Sequence, residues 1–241
     1  MQSRPQRVRP SAIRYAVAAL VLVMLSLFIT TPAAAGIHLT WRFTGYIEGA
    51  NSIQQGTTPM CVADPNKSDA QGAKMIQWDC HFFDETATEQ QWQFFEDTDL
   101  STADETVYQI KNLHSGQCLA DPGASPNRGV QLIQWPCGNN GNEQRWIAGD
   151  DEPYITLENY SSHLYMAVSG GRLVHGVPII QWTETGGFEQ AWDGTHIVAC
   201  PTTTLSAPAA CPALPITLRT VPKSQASGSR VVPPAAAPPA R

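Results

Sequence analysis

The chain has 241 residues, of which 42% are hydrophobic, 8% aromatic and only 15% charged, a composition typical of folded globular proteins. Its formal net charge is -6, from 15 basic and 21 acidic residues. Four of the arginines lie in the first 35 residues, which contain no acid, so the rest of the chain is more acidic still. Proteins that bind nucleic acids normally carry a basic stripe, and this charge balance argues against that class.

The first 35 residues have the layout of a cleavable secretory signal peptide. Residues 1–15 are basic, residues 16–29 form an apolar run, and three alanines at 33–35 precede Gly36. A membrane anchor is the alternative, but this apolar run is shorter than the ~20 residues that span a bilayer. We therefore expect cleavage after residue 35, a secreted, extracellular protein, and no membrane span after cleavage.

Because we expect the chain to be exported, we expect its six cysteines to have a structural role. In an oxidising compartment an even number of cysteines indicates disulfide bonds. No CxxC or HExxH motif and no Cys/His cluster with zinc spacing occurs, so we expect neither a metal site nor a cofactor. The expected pairs are Cys61–Cys80 and Cys118–Cys137, which share one separation of 19 residues, and Cys200–Cys211 by elimination.

The equal cysteine separations belong to a longer repeat that occurs three times. The copies begin at Cys61, Cys118 and Tyr165, and in each copy an Ile-Gln-Trp triplet has its Gln 16 residues later. A second signature, Gln-x-Trp, follows each triplet and ends at Trp92, Trp146 and Trp192. Short apolar runs between turn residues predict about four strands in each copy. Closing three such units around one axis buries their apolar faces and removes sheet edges.

Three Gln-x-Trp signatures, two of them preceded by a C-[VL]-x-x … I-Q-W-x-C pattern, resemble the ricin B-chain-type lectin family. The resemblance covers about residues 37–198 and implies an all-β fold, a β-trefoil, that binds carbohydrate. It also implies that the three signature tryptophans fill the central core. The predicted organisation is a signal peptide at 1–35, the trefoil at 36–198, and a Pro/Ala-rich, disordered tail at 199–241.

The resemblance implies that each repeat can carry one shallow sugar pocket, built from an aromatic ring and polar side chains that bind hydroxyl groups. The aromatic positions, two residues before the second cysteine position, hold Trp78, Trp135 and Trp182. The family has an Asn directly before each Gln-x-Trp signature. In this chain Glu89 and Glu143 replace it in the first two repeats.

The acid of the family's pocket is displaced in this sequence. The family's Asp, two residues after the first cysteine, is alanine in every repeat, while Asp64 and Asp121 follow one residue later and the third repeat has Val168. Strand alternation would point these acids to the opposite face, but the proline after each lets the strand end and the carboxylate turn into the pocket. Alternatively, both acids only begin turns ahead of proline.

We therefore predict a non-catalytic carbohydrate-binding protein for polysaccharide or glycoconjugate, with up to two sites in the first two repeats. No catalytic motif occurs, and the trefoil and tail leave no room for a catalytic domain. The alternative is a trefoil that has lost sugar binding and acts as a protein-interaction or inhibitory scaffold. The predicted sugar-binding residues are Asp64, Trp78, His81, Glu89, Asp121, Trp135 and Glu143.

Overall fold

The structure, a computed structural model, describes residues 37–201 except 139, 140, 152 and 195. The predicted signal peptide and nearly all of the predicted tail lie outside the described residues. This part of the chain contains no helix long and apolar enough to cross a membrane. Its strands are β1 (Leu39–Gly45), β2 (Glu48–Gly49), β3 (Met60–Ala63), β4 (Ile76–Asp79), β5 (Trp92–Asp97), β6 (Thr106–Asn112), β7 (Cys118–Ala120), β8 (Ile133–Trp135), β9 (Arg145–Asp151), β10 (Tyr154–Asn159), β11 (Tyr165–Val168), β12 (Ile179–Trp182), β13 (Trp192–Asp193) and β14 (Ile197–Ala199).

The sheet closes on itself. Strands β1, β5, β6, β9, β10 and β13 are antiparallel neighbours in that order, and β13 then pairs with β2. Because β2 follows β1 directly in the chain, this last pairing joins the final repeat to the first. Strand β14 pairs with β1 as well, with Gly45 opposite Ile197. The result is a closed barrel, which leaves no long edge open to pairing with another chain.

Three hairpins, β3–β4, β7–β8 and β11–β12, complete the fold. Each belongs to one sequence repeat, and single bridges join them pairwise, with Lys74 opposite Ile133 and Gln131 opposite Ile180. A closed barrel with three hairpins related by the repeat is a β-trefoil. The predicted all-β trefoil class is therefore confirmed, with somewhat more strands than the twelve expected.

The tryptophans of the three Gln-x-Trp signatures form the centre of the core. Trp92, Trp146 and Trp192 are at most 1% exposed. Each indole N–H donates a hydrogen bond, 3.0 to 3.2 Å long, to the carbonyl one residue after the start of its own repeat. A buried Trp needs such an acceptor for its N–H. The predicted core role of these three residues is confirmed.

The glutamine of each Ile-Gln-Trp triplet ties one repeat to the next. The Gln134 side-chain amide donates to the carbonyls of Ser68 and Ala70, at 2.6 and 3.2 Å, across the boundary between the first and second repeats. Gln77 and Gln181 make the equivalent pairs of bonds at the other two boundaries. Losing one glutamine would leave two loop carbonyls without their donor, so the triplet is structural at its centre.

Two of the predicted disulfides are present. Cys61–Cys80 and Cys118–Cys137 each link the first strand of one hairpin to the segment directly after its second strand, with Cα atoms 5.0 Å apart in both. The third predicted bond needs Cys211, which lies outside the described residues, so that pairing stays a prediction.

One short helix was not predicted. Helix α1 (Ala50–Gln55) lies between β2 and β3 and ends at Gly56, whose φ of 60° suits a glycine helix end. Six residues make fewer than two turns, too few for a helical hydrophobic period to show in the sequence.

Candidate functional site

A pocket of about 560 Å³ lies beside the hairpin of the first repeat. All four residues predicted for a site in this repeat, namely Asp64, Trp78, His81 and Glu89, line it. They come from the end of β3, from β4, and from the loop and 3₁₀ turn (Thr88–Gln90) that precede β5. The fold therefore brings together residues that are up to 25 positions apart in the sequence.

The pocket's aromatic surface is Trp78, on β4, opposite Cys61 of β3. The ring of His175, from the third repeat, stacks on it with centroids 4.4 Å apart and an interplanar angle of 26°. His175 is held in turn by Asp79, whose Oδ1 lies 2.8 Å from its Nε2. Trp78 nevertheless remains 40% exposed. Since one face is covered by the imidazole, a ligand has the other face and the ring edge available.

The loop that carries His81 is anchored from both sides. The side-chain amide of Gln90 donates to the Asp79 carbonyl at 2.7 Å, and its oxygen accepts from the His81 backbone N–H at 2.8 Å. The Tyr46 hydroxyl donates to the His81 carbonyl at 3.0 Å. Gln144 and Gln190 make the same pair of bonds in the other repeats. The first residue of each Gln-x-Trp signature thus fixes the loop beside its own hairpin.

Asp64 lies in the pocket wall, but its carboxylate is buried. The residue is 1% exposed, and neither carboxylate oxygen makes a hydrogen bond of regular geometry among the described residues, although the Ser68 backbone N–H lies nearby. Burial raises the pKa of Asp64 to about 7, although the Ser68 backbone N–H and His114 lower it. The side chain makes no capping hydrogen bond to the 3₁₀ turn Pro65–Lys67 that follows. The acid is therefore neither a helix-type cap nor a freely exposed ligand.

Glu89 and Lys67 supply a charged pair to the pocket. Lys67 Nζ lies 3.6 Å from Glu89 Oε2 and donates to the Thr86 carbonyl at 2.7 Å. The Lys67 side chain is 43% exposed and that of Glu89 only 14%, and Glu89 Oε2 is buried without a hydrogen bond to any described group. The pocket therefore has an exposed ammonium donor beside a mostly buried carboxylate, and both residues line it together with Trp78.

Sequence reasoning missed Asn66 and Lys67. Both have left-handed backbones, with φ of 57° and 52°. The equivalent turn of the third repeat uses Gly170 and Gly171, at φ of 64° and 62°. Glycine adopts this conformation without strain, whereas a residue with a Cβ does not. Strained residues of this kind concentrate at functional sites. A comparison of the three turns in the sequence would have identified the asparagine and lysine as exceptions.

The second repeat also contains a buried acid. Asp121 is fully buried, its carboxylate oxygens have no hydrogen-bond partner in the described structure, and burial raises its pKa to about 6 against the Ser125 backbone N–H. Trp135 is 45% exposed on β8, and Glu143 is half-buried in the 3₁₀ turn before β9. Residues 139 and 140, which belong to the adjacent loop, lie outside the described residues.

The third repeat has the same backbone framework, but an apolar residue replaces the buried acid. Val168, in the position of the two buried acids, is part of the hydrophobic core. The Arg128 guanidinium lies 5.4 Å from the centre of the Trp182 ring. A Cβ at Gly129 would lie 3.3 Å from that ring, so the second repeat packs closely on this tryptophan. The repeat therefore lacks the acid, and its Trp182 is only partly exposed.

The loop between β4 and β5 distinguishes the first repeat further. It spans residues 81–89 before the signature glutamine, longer than the corresponding 138–143 and 185–189. Phe82 packs inward, with its ring 3.9 Å from that of His196. Phe83, two residues after the pocket residue His81, is fully exposed.

The comparisons agree with the repeat pattern and with the closed barrel. The sequence model of the family described as "Ricin-type beta-trefoil lectin domain-like" matches residues 88–182. This part of the chain is therefore similar to a ricin-type β-trefoil lectin-like domain. The resemblance inferred from the three Gln-x-Trp signatures is thereby confirmed. Among curated proteins, none matches this sequence significantly.

Solved structures share the fold of this lectin-like domain. The designed 3-fold symmetric protein ThreeFoil matches with a TM-score of 0.52 and 24% identity, over 62% of this chain and 95% of that one. An exo-β-1,3-galactanase from Clostridium thermocellum matches with 0.51 and 24%, over 64% of this chain and 30% of that one. A mosquitocidal holotoxin matches with 0.51 and 16%, over 64% and 17%. The match spans less than a third of the last two chains, and at these identities it shows the fold alone.

Proposed function

We propose that this protein is a secreted, non-catalytic lectin that binds carbohydrate, with its principal site in the pocket of the first repeat. The observation that carries the proposal is the convergence of Trp78, Glu89 and Lys67 on one cavity of about 560 Å³. That volume falls in the ordinary range of small-ligand sites. The match to the ricin-type lectin-like family supports carbohydrate as the ligand class.

The chemistry of the pocket suits a pyranose ring. The apolar face of such a ring would stack on the free face of Trp78, as aromatic side chains favour flat apolar surfaces. Its hydroxyl groups would accept from the exposed Lys67 Nζ and donate to the part of the Glu89 carboxylate that remains exposed. An amide both donates and accepts, whereas a carboxylate only accepts. Lys67 therefore supplies the donor that the change from Asn to Glu89 removes.

The second repeat is the proposed weaker site. Trp135 offers a comparable exposed ring, and Glu143 stands where Glu89 stands in the first repeat. The turn after Asp121 holds Gly123 and Ala124 in place of the asparagine and lysine, so the donor is lost. Two weak sites on one molecule gain strength together on a surface that carries many copies of the sugar.

A glycan array followed by calorimetric titration tests this proposal. Trp78→Ala should weaken binding of the glycan identified by about fivefold or more, because an aromatic contact is worth about 1 kcal/mol. Trp182→Ala is the matched control and should leave the affinity unchanged. Retained affinity in a folded Trp78→Ala variant would show that the pocket is wrongly placed.

Protein binding is the second candidate function, favoured by the fully exposed Phe83 in the long loop of the first repeat. On this account the trefoil is a scaffold and the long first-repeat loop contacts a partner. The array distinguishes the two functions, because a scaffold would bind no glycan. Phe83→Ser should then reduce partner binding while leaving the melting temperature unchanged.

A further inference from the structure

Three potential metal ligands meet where the barrel closes. Glu48 of β2 lies directly opposite Asp193 of β13, and His196 follows in the segment before β14. One ligand atom of each side chain lies within 4.8 Å of the others. None of the three takes part in the proposed sugar pocket. The cluster joins the first repeat to the last, where β2 pairs with β13 next to the pairing of β1 with β14.

Glu48 makes this cluster more than a surface group of acids. The residue is only 3% exposed, and its buried Oε2 has no hydrogen bond of regular geometry among the described residues. That oxygen instead faces His196 Nδ1 at 3.1 Å. A buried carboxylate without a regular hydrogen bond is costly unless a cation compensates it.

We propose that Glu48, Asp193 and His196 form a zinc site that locks the closure of the barrel. An imidazole nitrogen with two carboxylate oxygens is a donor set that suits zinc, with water in the fourth position. Zinc–ligand distances of about 2.1 Å in a tetrahedron place neighbouring ligand atoms roughly 3.4 Å apart. The 3.1 Å contact is already near this value, and small rotations of the more exposed His196 and Asp193 complete the set.

No pattern in the sequence indicates this cluster. No zinc spacing occurs in the chain, and we expected no metal site, because Glu48 and His196 stand at opposite ends of the domain. The pairing of β2 with β13 and of β1 with β14 brings them together. The His196 ring also stacks on Phe82, in the loop that continues to His81 of the pocket. A metal bound here would therefore hold one wall of the proposed sugar site in addition to the barrel seam.

Thermal unfolding of the untagged, chelator-treated protein with Zn²⁺ as the probe tests the proposal. Zinc at about 100 times its dissociation constant should raise the melting temperature by roughly 5 °C or more. Calorimetry or metal analysis after dialysis should give one zinc per chain. Glu48→Gln and His196→Gln should each abolish the shift. His163→Gln is the matched control, because His163 forms a similar pair with Glu158, at 2.8 Å, outside the cluster.

Each outcome decides the assignment. A zinc shift in the wild type and in His163→Gln, absent in both cluster variants, supports the site. No shift in the wild type overturns it, and so does an equal shift in Glu48→Gln, which would place zinc elsewhere. A shift with Ca²⁺ alone would contradict the role of the imidazole. If Glu48→Gln does not fold, the response of His196→Gln to zinc decides the assignment, because His196 is exposed.

Discussion

The first and third repeats share a framework and differ in what fills it. Both place a Gln-x-Trp tryptophan in the core and use the central Gln of the triplet to tie neighbouring repeats. The first repeat has a buried acid, Asp64, and a strained Lys67, where the third has Val168 and Gly171. The third repeat is thus the less strained form of the same unit. What the two repeats share maintains the fold, and what the first carries and the third lacks is the candidate for function.

The largest effect should come from breaking the shared framework. Trp146→Ala should destabilise the domain by about 3–5 kcal/mol, because it leaves a large cavity and removes the indole hydrogen bond to the core carbonyl. Trp135→Ala, half-exposed in the same repeat, should cost much less. Urea unfolding of both variants measures the difference. Similar losses in the two would contradict the division into framework and site residues.

Replacing the buried acid with the residue found in the third repeat should raise the stability of the domain rather than lower it. Asp64→Val at pH 8 should stabilise the domain by about 1–3 kcal/mol, because it removes a buried charge without a hydrogen-bond partner and keeps a similar volume. Asp121→Val should do the same in the second repeat. A lower midpoint of urea unfolding in either variant would mean that these carboxylates make a favourable interaction.

The pH dependence of stability sharpens the same comparison. Burial raises the pKa of Asp64 to about 7 and that of Asp121 to about 6, so the folded protein binds protons that the unfolded chain has released. Stability should therefore fall as the pH rises from about 4 to about 7, by up to about 1.4 kcal/mol per pH unit for each group. The Asp64→Asn, Asp121→Asn double variant should lose this contribution. Parallel profiles for wild type and variant would contradict it.

The smallest expected effect concerns the strained turn. Lys67→Gly introduces the third repeat's residue at a φ of 52° and should stabilise the domain by about 1 kcal/mol. The same change removes the ammonium donor beside Glu89 and should weaken glycan binding. Ala124→Gly, at the equivalent turn of the second repeat, is the control for strain alone. Unchanged affinity in Lys67→Gly would remove the lysine from the proposed site.

The sequence predicted what the repeats hold in common. The trefoil, the core tryptophans and two disulfides could be predicted from positions that recur at fixed spacing. A residue that recurs in this way has the same structural role in each repeat that contains it. The burial of Asp64 could not be predicted, since side-chain alternation along the strand and the proline after it favoured different orientations of the carboxylate. Lys67 was missed because its signal is a difference between repeats. The Glu48 cluster depends on barrel closure between distant segments, which no local pattern reports.

The central claim is that carbohydrate binds at the first repeat against Trp78. The most direct measurement is a titration of ¹⁵N-labelled protein with the glycan selected on the array, following the indole N–H resonances of its tryptophans. The Trp78 signal should shift most and that of Trp135 less, while the core signals of Trp92, Trp146 and Trp192 stay in place. Shifts confined to Trp182, or no shift of Trp78 at saturating glycan, would contradict the account.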